Sequence, residues 1–111
     1  MRHLAFIAGL LLLVSPAAAQ QPQPFQYQNI PTETTTVVKS TRGVLHTICI
    51  NTPAATGTIT IYDNTAGSGT KIGLITSYAS TNPCLTYDVA FWVGLTIVTG
   101  TAAPDMTVSF R

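Results

Sequence analysis

Charge is what this chain has least of. Only 8% of its 111 residues are Asp, Glu, Lys or Arg, against about a quarter in an average soluble domain. A phosphate backbone is bound through clustered Lys and Arg whose counterions are released on contact, and the sequence has no such cluster, so nucleic acid is not an expected partner. A polybasic membrane-surface site is excluded on the same ground. Histidine is scarcer still, with His3 near the N-terminus and His46 in the body of the chain. A Ser-His-Asp arrangement needs a histidine oriented by a carboxylate and facing an activated hydroxyl. The hydroxyls here stand in no nucleophile-elbow motif, and His46 lies among apolar strand residues, where a hydrogen-bonded core position is expected for it. The carboxylates Glu33, Asp63, Asp88 and Asp105 are scattered, most of them at turns or strand starts, which leaves a glycosidase pair as a poor reading. No His, Asp or further thiol stands at ligand spacing from Cys49 or Cys84. The sequence therefore points away from an enzyme, and no cofactor or metal is expected.

Long hydrophobic runs are also few, and the longest is at the N-terminus. Arg2 and His3 precede the apolar stretch Leu4 to Val14, Pro16 breaks it, and Ala17-Ala18-Ala19 follow. This is the plan of a secretory signal, with residues 1–19 removed. The run is well short of the roughly 20 residues a membrane-spanning helix needs, so no membrane association is expected after cleavage. Loss of Arg2 leaves Lys39, Arg42, Lys71 and Arg111 against the four carboxylates, a formally neutral secreted chain. Cys49 and Cys84 both fall in that exported part, and in an oxidising compartment the pair is expected to form a disulfide.

Threonine takes the place of charge, with nineteen after Ala19, most alternating with Ile, Val or Leu. A β-branched, half-polar side chain suits a pleated, half-exposed surface. Residues 20–31 (QQPQPFQYQNIP) are rich in Gln and Pro and are expected to form an extended arm, with Phe25, Tyr27 and Ile30 available for assembly. Residues 32–111 are expected to form one all-β domain. Strands are predicted at Thr34–Lys39, Val44–Asn51, Thr58–Asp63, Lys71–Ser77, Leu85–Trp92, Leu95–Thr99 and Met106–Phe110, separated by Gly, Pro, Asn and Asp. No segment has a helical apolar period. About seven antiparallel strands imply a small β-sandwich or jelly-roll-like domain.

Period-two alternation assigns the faces. Val44, His46, Ile48 and Ile50 are expected inside, as are Ile59 and Ile61, Tyr87, Val89 and Phe91, Leu95 and Ile97, and Met106, Val108 and Phe110. Thr58, Thr60, Tyr62, Asp88, Ala90, Trp92, Thr96 and Thr107 are expected outside, with Cys49 also outside, so that the disulfide would cross the sheet surface. Trp92 and Tyr62, with Tyr78 in a nearby loop, are the candidate ligand or interface contacts, because an exposed aromatic face can stack on a sugar ring or a partner. The glycine-containing segment Asp63–Thr70 lacks the Gly-Lys-Ser/Thr of a phosphate loop and the acidic series of a calcium loop, and reads as a hairpin connection.

The ordered set Thr35-Thr36-Val37-Val38-Lys39, Gly43-Val44-Leu45-His46, Gly57 to Asn64, Gly69-Thr70-Lys71-Ile72, Tyr87-Asp88-Val89-Ala90-Phe91 and Gly94 to Thr99 resembles small Thr-rich β-sandwich proteins encoded among tailed-phage and prophage virion genes. The resemblance implies a non-enzymatic virion or surface component and carries no catalytic or binding residues with it. A signal-like N-terminus sets this chain apart from a virion component assembled in the cytoplasm. Together they imply a related domain used outside the cell as a self-associating surface or filament subunit, a homo-oligomer or polymer. The alternative is a secreted carbohydrate-binding or adhesion module that uses the exposed aromatics on a surface glycan. Intact mass of the protein recovered from outside the cytoplasm is expected to show a chain starting at Gln20 and lacking two thiol hydrogens. A chain that retains Met1, or one with two free thiols after nonreducing denaturation, would contradict this reading.

Overall fold

The computed structural model describes residues 23–52, 57–76 and 84–111. The expected signal segment, Tyr78 and the Pro83 side of the disulfide loop lie outside the described residues. Among the described residues the chain is all β, with eight strands: β1 (Gln26–Ile30), β2 (Thr34–Lys39), β3 (Gly43–Ile50), β4 (Ile59–Asp63), β5 (Thr70–Ile75), β6 (Cys84–Phe91), β7 (Leu95–Thr99) and β8 (Met106–Phe110). They form two antiparallel four-stranded sheets, ordered β1-β8-β3-β6 and β2-β7-β4-β5. Successive strands β1 and β2, β2 and β3, β3 and β4 lie in opposite sheets, which is the double Greek-key winding of a jelly roll.

Alternation explains the core. Ile59 and Ile61 of β4, Leu95 and Ile97 of β7, and Met106, Val108 and Phe110 of β8 point between the sheets, where they meet Ile48, Ile50 and Phe91. Tyr87 and Val89 of β6 pack against this cluster as expected. The Tyr87 ring reaches β5, where a Cβ on Gly73 would lie 2.7 Å from its hydroxyl oxygen. Burial raises the pKa of that phenol above its ordinary value. Thr99, buried beside β2, donates its hydroxyl proton to the Thr32 carbonyl at 2.8 Å and accepts from the Thr34 N–H at 2.9 Å. An unpaired hydroxyl there would be costly.

Three sequence expectations are corrected. First, the sandwich begins at Gln26, since β1 pairs along its length with β8 and Ile30 is only 1% exposed. Part of the expected arm is thus an edge strand of its own domain. Asn29 helps fix it, donating to the Asp105 carboxylate at 2.6 Å, and Asn51 of the β3 end donates to the same oxygen at 2.9 Å. Second, Leu45, not Val44 or His46, is the buried residue in the first half of β3. Between the core pairs Leu45–Phe110 and Ile48–Val108, β3 carries His46 and Thr47 opposite the single Ser109 of β8. This bulge slips the alternation by one residue, so a strict period of two misplaces everything before Ile48. Third, Thr96 is fully buried on the outer side of its sheet, where its hydroxyl donates to the Asn64 carbonyl at 2.7 Å. The β4–β5 connection is the hairpin loop expected, but it folds back over the sheet. A Cβ on Gly67 would lie 2.8 Å from the Val98 Cγ2 atom, so only glycine lets the loop lie this close.

Cys49 of β3 and Cys84 of β6 are directly opposed in register and form a disulfide, on the outer side as expected. The bond closes a sequence separation of 35 residues at one end of an edge strand. Replacing both cysteines with serine is expected to lower the unfolding free energy by about 2–4 kcal/mol. Denaturant unfolding would show this as a lower midpoint; an unchanged midpoint would mean that the bond adds nothing to stability.

Candidate functional site

Every open sheet has edges whose unpaired backbone groups can accept another strand, and proteins blunt them with charge or bulges. Three of the four edge strands here carry both devices. In β2 the register shifts between Val37 and Lys39, and Lys39 sits at the shift. In β5 the register against β4 skips Ile72, with Lys71 beside it. In β6 the residues Thr86, Tyr87 and Asp88 lie between partners of Leu45 and Ile48 that enclose only two residues of β3, and Asp88 has φ 49°. Aspartate tolerates this left-handed conformation better than most residues.

The fourth edge, β1, carries neither device. Its register with β8 runs unbroken from Gln26–Phe110 to Ile30–Met106, and its sequence, Gln-Tyr-Gln-Asn-Ile, has no charge. Tyr27 is 78% exposed beside that edge. Of the three residues proposed for an assembly arm, Ile30 is therefore committed to the core, Tyr27 faces solvent, and Phe25 lies just ahead of β1.

Phe25 is one link in a chain of contacts on the outer side of the same sheet. Its ring stacks on the His46 imidazole with centroids 4.1 Å apart, and the Arg111 guanidinium lies 4.8 Å from the Phe25 centroid. On the other side, His46 Nδ1 pairs with the Asp88 carboxylate. The two bulges create this arrangement: one pushes His46 out of the core and the other brings Asp88 to meet it. His46 is thus a partly exposed surface residue, not the core histidine expected from its neighbours.

Where β3 begins and β6 and β8 end, a concavity of ≈ 820 Å³ is lined by Lys39, Arg42, Val44, Ala90, Trp92 and Arg111, among others. Backbone bonds knit its floor, with Val44 N–H donating to the Arg111 carbonyl at 2.6 Å and Arg111 N–H returning to Val44 at 2.9 Å. Trp92, 70% exposed, stands on the β6–β7 turn, whose backbone is held by one carboxylate. Asp63, at the end of β4, accepts N–H bonds from Trp92 at 3.0 Å, Val93 at 2.8 Å and Gly94 at 3.3 Å. Close approach also fixes the turn, since a Cβ on Gly94 would fall 2.9 Å from the Lys39 carbonyl oxygen and 3.0 Å from that of Asn64.

Trp92 is exposed as the alternation predicts, whereas Tyr62 is half-buried and lines no part of the concavity. Tyr78 lies outside the described residues. The gathering of three cations is not visible in the sequence, because Lys39, Arg42 and Arg111 come from the first and last parts of the domain. Only the winding of β2, β3 and β8 brings them together.

Partial burial alone would raise the Asp63 carboxyl, but the N–H bonds from Trp92, Val93 and Gly94 outweigh it and hold the pKa below the ordinary value. A lowered folded-state pKa gives stability that is complete above the unfolded value of about 4 and is lost as pH falls through the lowered folded value. Because Trp92 is the single tryptophan, its emission is expected to change on acidification below about pH 4. Asp63→Asn is expected to show altered emission at neutral pH and to lose that acid transition. The same acid transition in the variant would show that Asp63 does not hold the turn.

No family model and no curated protein matches the chain. Among solved structures it is similar to a Bacillus endospore appendage protein described as part of a family of disulfide-linked pili. The identity is 18%, the match covers 83% of this chain and 87% of that one, and the TM-score is 0.43.

Proposed function

We propose that this protein is an exported, non-enzymatic assembly unit that joins copies of itself through the β1 edge. The observation that carries the reading is the contrast between edges: β2, β5 and β6 are each bulged and charged, while β1 is straight and uncharged. Among the described residues no strand covers the β1 edge; an unblunted edge in a secreted protein invites strand pairing, and its retention beside three protected edges fits a surface kept for a partner. The strand itself carries no charge to desolvate, and the carboxylate beside it, Asp105, is already bonded to Asn29 and Asn51. The Cys49–Cys84 bond supports export, because such bonds persist in oxidising compartments.

Two β1 strands meeting antiparallel about a two-fold axis would fuse two sheets into one continuous sheet and stop there as a closed dimer. Pairing of β1 with a different edge of the neighbour would build a ring where the rotation closes and a filament where it does not. A virion-like decoration and an extracellular filament subunit are the two forms this reading allows, and the resemblance of the Thr-rich strands to virion components fits the first.

Light scattering separates the possibilities. The secreted protein is expected to be oligomeric at tens of micromolar, and Tyr27→Lys, which adds an edge charge at an exposed position, is expected to shift it toward monomer by at least about tenfold in concentration, or about 1.4 kcal/mol. A wild type that stays monomeric defeats the assembly reading. Assembly that is unchanged in Tyr27→Lys moves the contact away from β1.

A further inference from the structure

The concavity at Trp92 has a composition at odds with the rest of the molecule. The chain beyond Ala19 holds four Lys and Arg residues, and three of them, Lys39, Arg42 and Arg111, line this one depression, which no acidic side chain lines. The acidic groups on the flanking elements are already engaged: Asp63 accepts three backbone N–H bonds and Asp88 is paired with His46. Like charges gathered in one depression raise one another's energy, and an anion relieves that cost. Beside them Trp92 exposes most of its ring from a turn fixed by Asp63 and Gly94. Arg111 is likewise held, its guanidinium over the Phe25 ring.

We infer that this concavity binds an acidic carbohydrate, with the face of a pyranose ring on Trp92 and its carboxylate between Arg42 and Arg111. A guanidinium presents a planar fork of donors that matches a carboxylate in two parallel bonds, and Lys39 adds a third charge. The apolar C–H face of a sugar ring suits a flat, exposed indole. The volume falls in the range of about 300–1,000 Å³ usual for small-ligand sites. A nucleic acid would also satisfy rings and cations, but it needs a charged track along several phosphates, and Lys71 is the single Lys or Arg beyond Ala19 left outside this cluster. The site uses different residues from the β1 edge and does not depend on assembly.

The test is titration of the full-length gene product, expressed with export, with trigalacturonate, its methyl ester, inorganic phosphate and a single-stranded oligothymidylate, followed by calorimetry and Trp92 emission. Trigalacturonate is expected to bind and perturb Trp92, with affinity at least about tenfold above that of the ester, as loss of a charge-assisted bond predicts. Arg42→Gln and Trp92→Ala are each expected to weaken it by a similar factor, and Lys71→Gln, on β5 outside the concavity, to leave it unchanged. Added salt should weaken binding. Absence of uronide binding, equal binding of the ester, equal or tighter binding of phosphate or oligothymidylate, or an equal loss in Lys71→Gln would each overturn the proposal. A thermal melt of each variant shows whether any loss reflects unfolding instead, and a folded variant that keeps full affinity also overturns it.

Discussion

Strand β3 has to match two neighbours that do not match each other. Between the same two core positions β8 supplies one residue, β3 two and β6 three, so each step across the sheet adds a residue. The sheet absorbs the surplus in successive bulges, one at His46 and one ending at Asp88, and bulges bend and twist the strands that carry them. Both features of the outer surface depend on this. His46 leaves the core to stack on Phe25, which carries Arg111, and Asp88 turns through a left-handed conformation to reach His46. Beyond the bulge Phe91 enters the core and Trp92 is left outside, at the head of the turn held by Asp63. The Cys49–Cys84 bond fixes the far end of the same strand pair, so the surplus cannot be relieved by sliding β6 along β3.

The scarcity of charge gives the edges their meaning. In a chain with many surface charges, one uncharged edge strand would say little. Here each of the few charged strand residues outside the core does something identifiable: Lys39, Lys71 and Asp88 stand at the bulges of three edges, and Asp63 holds a turn. Lys39 does double duty, since it also lines the Trp92 concavity. The β1 edge is the exception: its residues carry no charge of their own, and the carboxylate beside it, Asp105, is already bonded to Asn29 and Asn51.

Strand positions were legible wherever β-branched residues alternate with threonine, as in Ile59–Asp63 and Leu95–Thr99, because both faces of those strands speak the same pattern. β1 was hidden by composition: glutamine and proline suggest an extended tether, and only Gln28 and Ile30, two apart and bracketed with the rest of β1 by Pro24 and Pro31, hint at a short strand. The bulge at His46 was not legible, because an extra residue is defined by what the neighbouring strands supply and not by β3 itself. Thr96 reads as surface in the sequence because the loop residue that covers it, Asn64, comes 32 residues earlier in the chain. The exposure of Trp92 followed from alternation with Ala90 and Phe91, but its cationic surroundings are a product of topology.

The central claim is that the β1 edge is the contact between copies, and amide hydrogen exchange reads that edge directly. Comparing exchange at concentrations above and below assembly, the amides of Gln26–Ile30 are predicted to gain protection with concentration while those of the bulged β6 edge do not. Protection at β1 that stays constant while the protein assembles, or that rises at β6 instead, would contradict the account.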